Sequence, residues 1–189
     1  MDSNSNTVVV TGFGPFRQYL VNSSWEAVKE LSKMGLGSDI DLQIVQLPVS
    51  YQKTKELVWK IWTTLQPLLT VHIGLASSSK AIIILEQCGK NKGYKEKDVC
   101  GYCPQDGCCL LDGPERIDST IDMKTLWKTV AVEGIDILFS RDAGGNALAE
   151  EIPWKGQVTL CAFEEKAAVL SKERRQHHFC SDAVYLHLQ

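Results

Sequence analysis

Short apolar runs alternate along this chain with segments of helical periodicity. Apolar runs typical of buried strands lie at residues 8–10, 68–74, 81–85 and 135–140, and alternating apolar and polar residues predict a further strand at 41–47. Apolar positions spaced three and four apart predict helices at residues 25–31, 51–65 and 121–132. Because strands and helices alternate, we expect an α/β fold, a three-layer α/β/α sandwich around a mostly parallel, twisted sheet.

The first strand runs into a turn of unusual composition, TGFGPF at residues 11–16. Phe13 and Phe16 stand three apart in this turn, where they could wall a slot for a flat small ligand. The alternative is that they only cap the end of the sheet. A dinucleotide-binding fingerprint does not fit, since Arg17 occupies its third glycine position and Pro15 lacks an N–H for a phosphate.

The bulk composition narrows the class of protein. With 189 residues and 44% hydrophobic content, we expect one well-packed domain. The net charge of −3 gives no reason to expect nucleic acid or an anionic membrane as a partner. The polar start MDSNSN is not a signal peptide, and no apolar run is long enough to cross a bilayer. We therefore expect a soluble cytoplasmic protein whose seven cysteines stay reduced.

Two ionisable residues lie in or beside predicted strands. His72 lies within an apolar strand, where a hydrogen-bonded core histidine is the default interpretation. Glu86 directly follows another strand, and a partly desolvated carboxylate at such an exit is a functional candidate.

A long polar loop, residues 91–118, carries four cysteines that we call the loop cysteines: Cys100, Cys103, Cys108 and Cys109. The first pair has C-x-x-C spacing, which raises the hypothesis of a zinc site. The second pair is adjacent in sequence and the spacer is short. We therefore expect free thiols without metal and no cofactor.

Four stretches of the chain resemble the pyroglutamyl-peptidase I family: TGFGPF with VNSSWEAVKEL, LEQCGKNKGY, DGPERIDS and SRDAG. That family consists of cytosolic cysteine omega-peptidases that remove N-terminal pyroglutamate with a Cys-His-Glu triad. The resemblance implies that Phe13 and Phe16 sandwich the pyroglutamyl ring, that Asn22 lies beside it, and that Glu86 is the triad carboxylate. It implies pyroglutamyl peptides or pyroglutamate as ligands.

The resemblance weakens after Gly144. The family's nucleophilic cysteine position falls on Leu148, in GNALA, and the family's histidine context is absent. We therefore divide the chain into a family-like domain, residues 1–144, and a divergent tail, residues 145–189, with a helix expected at 163–175. Cys161 with His187 or His178 could substitute only if the tail folds back over the site.

Three interpretations remain open at this point. The chain could be an active omega-peptidase, a non-catalytic binding or regulatory relative that keeps the slot, or a truncated product without stable function. The first needs a thiolate and a base, and by resemblance only Glu86 of the triad is in place.

Overall fold

The computed structural model describes residues 6–16, 20–75, 82–111, 113–141, 143 and 158–164. The strands are β1 (Thr7–Phe13), β2 (Asp41–Leu47), β3 (Leu69–Gly74), β4 (Ile82–Glu86), β5 (Cys88–Lys90), β6 (Arg116–Asp118), β7 (Asp136–Ser140) and β8 (Val158–Glu164). The helices are α1 (Ser23–Met34), α2 (Tyr51–Lys60) and α3 (Met123–Thr129), with a π-helical turn at Ile61–Leu65 and a short 3₁₀ turn at Gln105–Gly107.

Six of the described strands form one sheet in the order β2-β1-β3-β8-β4-β7. The pairs β1–β2, β1–β3, β4–β7 and β4–β8 are parallel, and β3–β8 is antiparallel. The expected mostly parallel α/β architecture is therefore confirmed. Strands β5 and β6 form a separate antiparallel pair.

Helices cover both faces of the sheet, because the central strands carry apolar side chains on both faces. On one face Val8 and Val10 of β1 pack with Val28 of α1. On the other face Phe13 of β1 packs with Trp62, which lies in the π-helical turn that follows α2. These contacts give the three layers that the sequence pattern predicts. The third helix, α3, packs on the same face of the sheet as α1. Its Met123 contacts Leu85 of β4. Leu69 and Val71 of β3 pack both with the apolar residues around Val28 and with those around Met123.

Close packing between β1 and α1 depends on Gly12. A Cβ atom at this position would lie 2.8 Å from the carbonyl oxygen of Ser24 and 2.8 Å from the Cα of Trp25. Real Cβ atoms do not approach backbone so closely, so a side chain here would push the helix away from the strand. The turn after β1 is therefore fixed against the start of α1.

Several sequence predictions need correction. The first strand continues through Phe13 rather than ending at the glycine turn, because Gly12 and Phe13 keep their pairing with β2. Within the predicted helix over 51–65, Trp62 is buried, whereas Trp59 is 45% exposed. The regular α-helix ends at Lys60, where the π-turn begins, so the predicted single helix over 51–65 is too long.

The tail differs from its prediction in one described segment. Phe163 and Glu164 belong to β8, not to the start of the helix predicted at 163–175. Residues 165–175, where the rest of that helix would lie, are outside the described residues. In the described part of the chain, no helix has both the length and the apolar composition required to cross a membrane.

Candidate functional site

The two phenylalanines of the glycine turn lie together in one apolar cluster. Phe13 is 7% exposed and Phe16 is 8% exposed. The other buried members of this cluster, which we call the phenylalanine cluster, are Leu47, Val49, Tyr51, Val58, Trp62, Tyr94 and Ala143. Both rings are thus packed against neighbours. A ligand ring that entered between them would have to displace contacts within the cluster.

A chain of hydrogen bonds holds the turn in place. The backbone N–H of Phe13 donates to Ser24 Oγ at 2.9 Å, and that hydroxyl donates to Asn22 Oδ1 at 2.8 Å. The Asn22 amide donates in turn to the Gly14 carbonyl at 3.0 Å. Asn22 also caps α1 by accepting from the Ser24 N–H at 3.1 Å. The Asn22 side chain therefore helps to hold the glycine turn that carries Phe13 and Phe16.

Glu86 ends β4 and is 3% exposed. Its register partner on the neighbouring strand is Ser140. Leu85, the preceding residue, packs against Met123 of α3, so Glu86 lies on the opposite face of the sheet. That face also carries Phe13, because both residues lie on the side away from α1 and α3.

Phe13 and Glu86 thus share one face and the carboxyl ends of their strands. Strands β3 and β8 lie between β1 and β4. Three inter-strand spacings of about 4.8 Å separate the two backbones by about 14 Å across the sheet. This lateral separation is one that a ligand larger than a single ring could bridge.

Ala143 connects these two parts. The Ala143 N–H donates to the Cys88 carbonyl at 3.0 Å, which fixes Ala143 beside β5, two residues after Glu86. Ala143 is also a buried member of the phenylalanine cluster. Ala143 of the SRDAG motif therefore contacts both the phenylalanine cluster and the strand that follows the carboxylate.

His72 is a core residue, as its sequence context predicts. Its Nδ1 lies 2.7 Å from the hydroxyl oxygen of Thr11, its register partner on β1. Burial lowers the pKa of His72 to about 3. The imidazole is therefore neutral at pH 7 and holds two strands together.

Cys88 is a second buried ionisable residue and lies two positions after Glu86 in the sequence. Burial raises the pKa of the Cys88 thiol, so the neutral form is favoured at pH 7. The thiol donates to the Arg141 carbonyl at 2.7 Å. This hydrogen bond helps to hold the Arg141 backbone beside β5 and gives Cys88 a structural role.

Asp98 is a residue that sequence reasoning missed. It is 6% exposed, and its carboxylate accepts N–H bonds from Tyr51 at 3.1 Å, Cys100 at 2.8 Å and Tyr102 at 2.9 Å. Burial by itself would raise the pKa of Asp98, yet these and other donors outweigh it and hold the pKa below its usual value.

The bond to Tyr51 caps the first turn of α2, where Ser50 makes no side-chain cap. Asp98 thereby fastens the long loop to that helix. The available signal was the D-V-C-G pattern at residues 98–101, because Asp at the first and Gly at the fourth position favour a β-turn. The Gly101 N–H bonds the Asp98 carbonyl at 2.9 Å.

Within the described residues, the loop cysteines and Cys88 form no disulfide. The Cys103 thiol donates to the Lys95 carbonyl at 3.4 Å. Across the described residues, no group of three or more His, Cys, Asp or Glu side chains is arranged to hold a metal ion. Zinc-free thiols remain a prediction for elemental analysis.

The tail residues considered as substitutes are only partly described. The backbone of Cys161 pairs with that of His72. On the other side of β8, Leu160 pairs with Leu85, so Cys161 follows at the level of Glu86. Leu148, His178 and His187 lie outside the described residues.

Comparison with known proteins identifies the class to which this arrangement belongs. The sequence profile of the family described as pyroglutamyl peptidase matches residues 6–148. Human pyroglutamyl-peptidase 1 is 47% identical over 146 residues, which cover 76% of this chain and 69% of that protein. A human pyroglutamyl-peptidase 1-like protein is 48% identical over 117 residues, 61% of this chain and 59% of that protein.

Comparison with solved structures leads to the same family. The crystal structure of pyrrolidone carboxyl peptidase from Fervidobacterium islandicum superposes with a TM-score of 0.66 at 31% identity, covering 74% of this chain and 66% of that one. The chain belongs to the pyroglutamyl peptidase family. The profile match ends at Leu148, the residue to which the resemblance assigns the nucleophile position.

Proposed function

We propose that this chain is a pyroglutamyl peptidase relative that binds the pyroglutamyl group but is catalytically impaired. The observation that carries the proposal is the leucine at position 148, where the resemblance places the nucleophilic cysteine. Cysteine peptidases divide amide hydrolysis into two easier steps through a covalent thioester, which requires a thiolate. Leucine has no group that can attack, donate or accept a proton.

The surroundings of Glu86 support the same proposal. A carboxylate in a Cys-His-Glu triad acts by orienting an imidazole that exchanges protons with the thiol. His72, which lies two strands from Glu86 across β8, has a neutral side chain bonded to Thr11. The Cys88 thiol is protonated and bonded to a backbone carbonyl. Neither group is suited to the missing role.

Retention of ligand binding is supported by the aromatic turn. Phe13 and Phe16 lie in one cluster, and the Asn22–Ser24 network holds the turn that carries them. Stacking of a flat lactam ring on such side chains does not need the thiol. Because a ligand ring must enter a packed cluster, we expect a weak complex, with a Kd on the order of millimolar.

A binding measurement tests the proposal. Pyroglutamate is titrated into the protein and the ring signals of the phenylalanines are followed by NMR, with proline as the ligand that lacks the lactam carbonyl. We expect saturable shifts with pyroglutamate alone, weakened by Phe16→Leu. Phe139→Leu, on β7 and outside the phenylalanine cluster, is the matched control. Identical responses to both ligands would refute a retained slot.

A cytoplasmic location is part of this proposal. The free thiols at Cys88 and the loop cysteines support it, because a reducing compartment keeps cysteines in this form. The alternative of an active peptidase depends on Cys161, whose backbone lies at the level of Glu86. The turnover measurement at the end of the Discussion separates the two.

A further inference from the structure

A surface depression adjoins the phenylalanine cluster. Its volume is about 560 Å³, and it is lined by Pro15, Phe16 and residues 95–99 of the long loop. Phe16 belongs both to this lining and to the buried cluster. A ligand that placed a ring against Phe16 would therefore continue directly into the depression.

The wall of the depression is held by long-range hydrogen bonds. The Tyr51 hydroxyl donates to the Glu96 carbonyl at 3.2 Å, and the Val99 N–H donates to the Val49 carbonyl at 3.1 Å. Between them, Asp98 accepts from the Tyr51 N–H at 3.1 Å. Three successive contacts thus tie this part of the loop to the start of α2. A wall fixed in this way loses little freedom when a ligand binds.

The exposed side chains of the wall carry more positive than negative charge. Lys95 and Lys97 are both exposed and line the depression. The carboxylate of Asp98 also belongs to the lining, but it is buried and bonded to three backbone N–H groups. These bonds occupy its oxygens without neutralising it, so the exposed charges on the wall are the two lysine cations and the single carboxylate of Glu96. Half-exposed Val99 adds an apolar contact.

We propose that this depression binds the peptide chain that follows the pyroglutamyl residue, and that Lys95 and Lys97 favour acidic side chains there. The inference rests on the proposed pyroglutamyl slot, since Phe16 is the residue shared by slot and depression. Exposed ion pairs contribute modestly, about 0.2–1 kcal/mol each. Two such pairs correspond to a preference of about two- to thirtyfold for an acidic over a basic peptide at low salt.

The test compares four fluorescent peptides by anisotropy: pyroglutamyl-Glu-Glu, pyroglutamyl-Gln-Gln, pyroglutamyl-Lys-Lys and acetyl-Glu-Glu, each labelled at the carboxyl end. We expect the order acidic, neutral, basic, with differences that shrink at high salt. The double variant Lys95→Gln and Lys97→Gln should lose this order. The charge-matched control Lys124→Gln and Lys128→Gln, at two exposed positions of α3, should keep it.

The outcomes separate the two proposals. Equal affinities for the three pyroglutamyl peptides, or binding of none of them, would overturn the subsite. A preference that the control variant also abolished would overturn it as well, because the effect would then come from net charge. If acetyl-Glu-Glu bound as tightly as pyroglutamyl-Glu-Glu in a Lys95- and Lys97-dependent manner, the subsite would stand and the pyroglutamyl slot would fail.

Discussion

Replacing Asp98 by alanine should destabilise the fold although Asp98 lies in a loop. The carboxylate caps α2 through the Tyr51 N–H, and losing such a cap costs about 1–2 kcal/mol. Cys100 and Tyr102 are exposed, so water can replace the carboxylate at their N–H groups. The turn nevertheless loses charge-assisted bonds, for which we add about 1 kcal/mol. We expect a decrease of about 2–3 kcal/mol in the free energy of unfolding.

Urea denaturation followed by tryptophan fluorescence measures this change, because Trp62 is buried in the fold. Asp39→Ala is the matched control, since Asp39 is exposed and accepts only from the neighbouring Ser38 hydroxyl. The control should change stability by less than about 0.5 kcal/mol. If Asp98→Ala fell within the same range, the carboxylate would not be the anchor of the long loop.

The stability that the Asp98 carboxylate contributes should depend on pH in a defined direction. Folding holds the pKa of Asp98 below its ordinary value of 3.8, because the N–H donors favour the charged form. The unfolded chain therefore takes up the proton first as the solution is acidified, and the stabilisation is lost as the pH falls through the folded pKa. The difference between wild type and Asp98→Ala should be constant above about pH 5 and narrow toward pH 3. A difference that grew on acidification would contradict this assignment.

Two further predictions concern the glycine turn and the loop cysteines. Gly12→Ala should cost about 1–3 kcal/mol, because its Cβ would meet the backbone of Ser24 and Trp25 at 2.8 Å. Gly14→Ala, whose Cβ would meet the flexible Gln46 side chain at 3.4 Å, is the control, and equal effects in urea denaturation would refute the close-packing argument. Elemental analysis of the purified protein should find no stoichiometric zinc; one bound zinc per chain would show that the loop cysteines form a metal site.

The main strands could be predicted because the sheet is covered on both faces. A strand buried on both sides must be apolar throughout, which is why residues 8–10 and 81–85 stand out in the sequence. The predicted bounds of β2, residues 41–47, agree with the structure. The pair β5–β6 was not predictable in the same way. Each of these strands has only three residues, too few to show a period.

The anchoring of the long loop also escaped sequence reasoning. Asp98 and Tyr51 are 47 positions apart, and no local pattern connects them. The D-V-C-G pattern signals a turn but not the helix to which that turn is fastened. Contacts of this kind are decided by tertiary structure rather than by local propensity.

The prediction of a site came from the motif resemblance and not from the spacing. The spacing of Phe13 and Phe16 left a ligand slot and a capped sheet end as alternatives, and the structure buries both rings in one cluster. The resemblance supplied the roles of Phe13, Phe16, Asn22 and Glu86, and these roles remain predictions. For Asn22 the structure adds a function that the motif did not suggest, the hydrogen bond that holds Gly14.

The central claim, retained binding without turnover, is tested most directly with a pyroglutamyl amide of a fluorogenic amine. Losing one member of a catalytic triad typically lowers the rate by about 10⁴–10⁶. With Leu148 at the nucleophile position, we predict no release of the amine above background, and the same result for Leu148→Cys because the histidine partner is also missing. Clear turnover by the wild-type chain that disappears in a folded Cys161→Ala variant would contradict the account and assign catalysis to the tail.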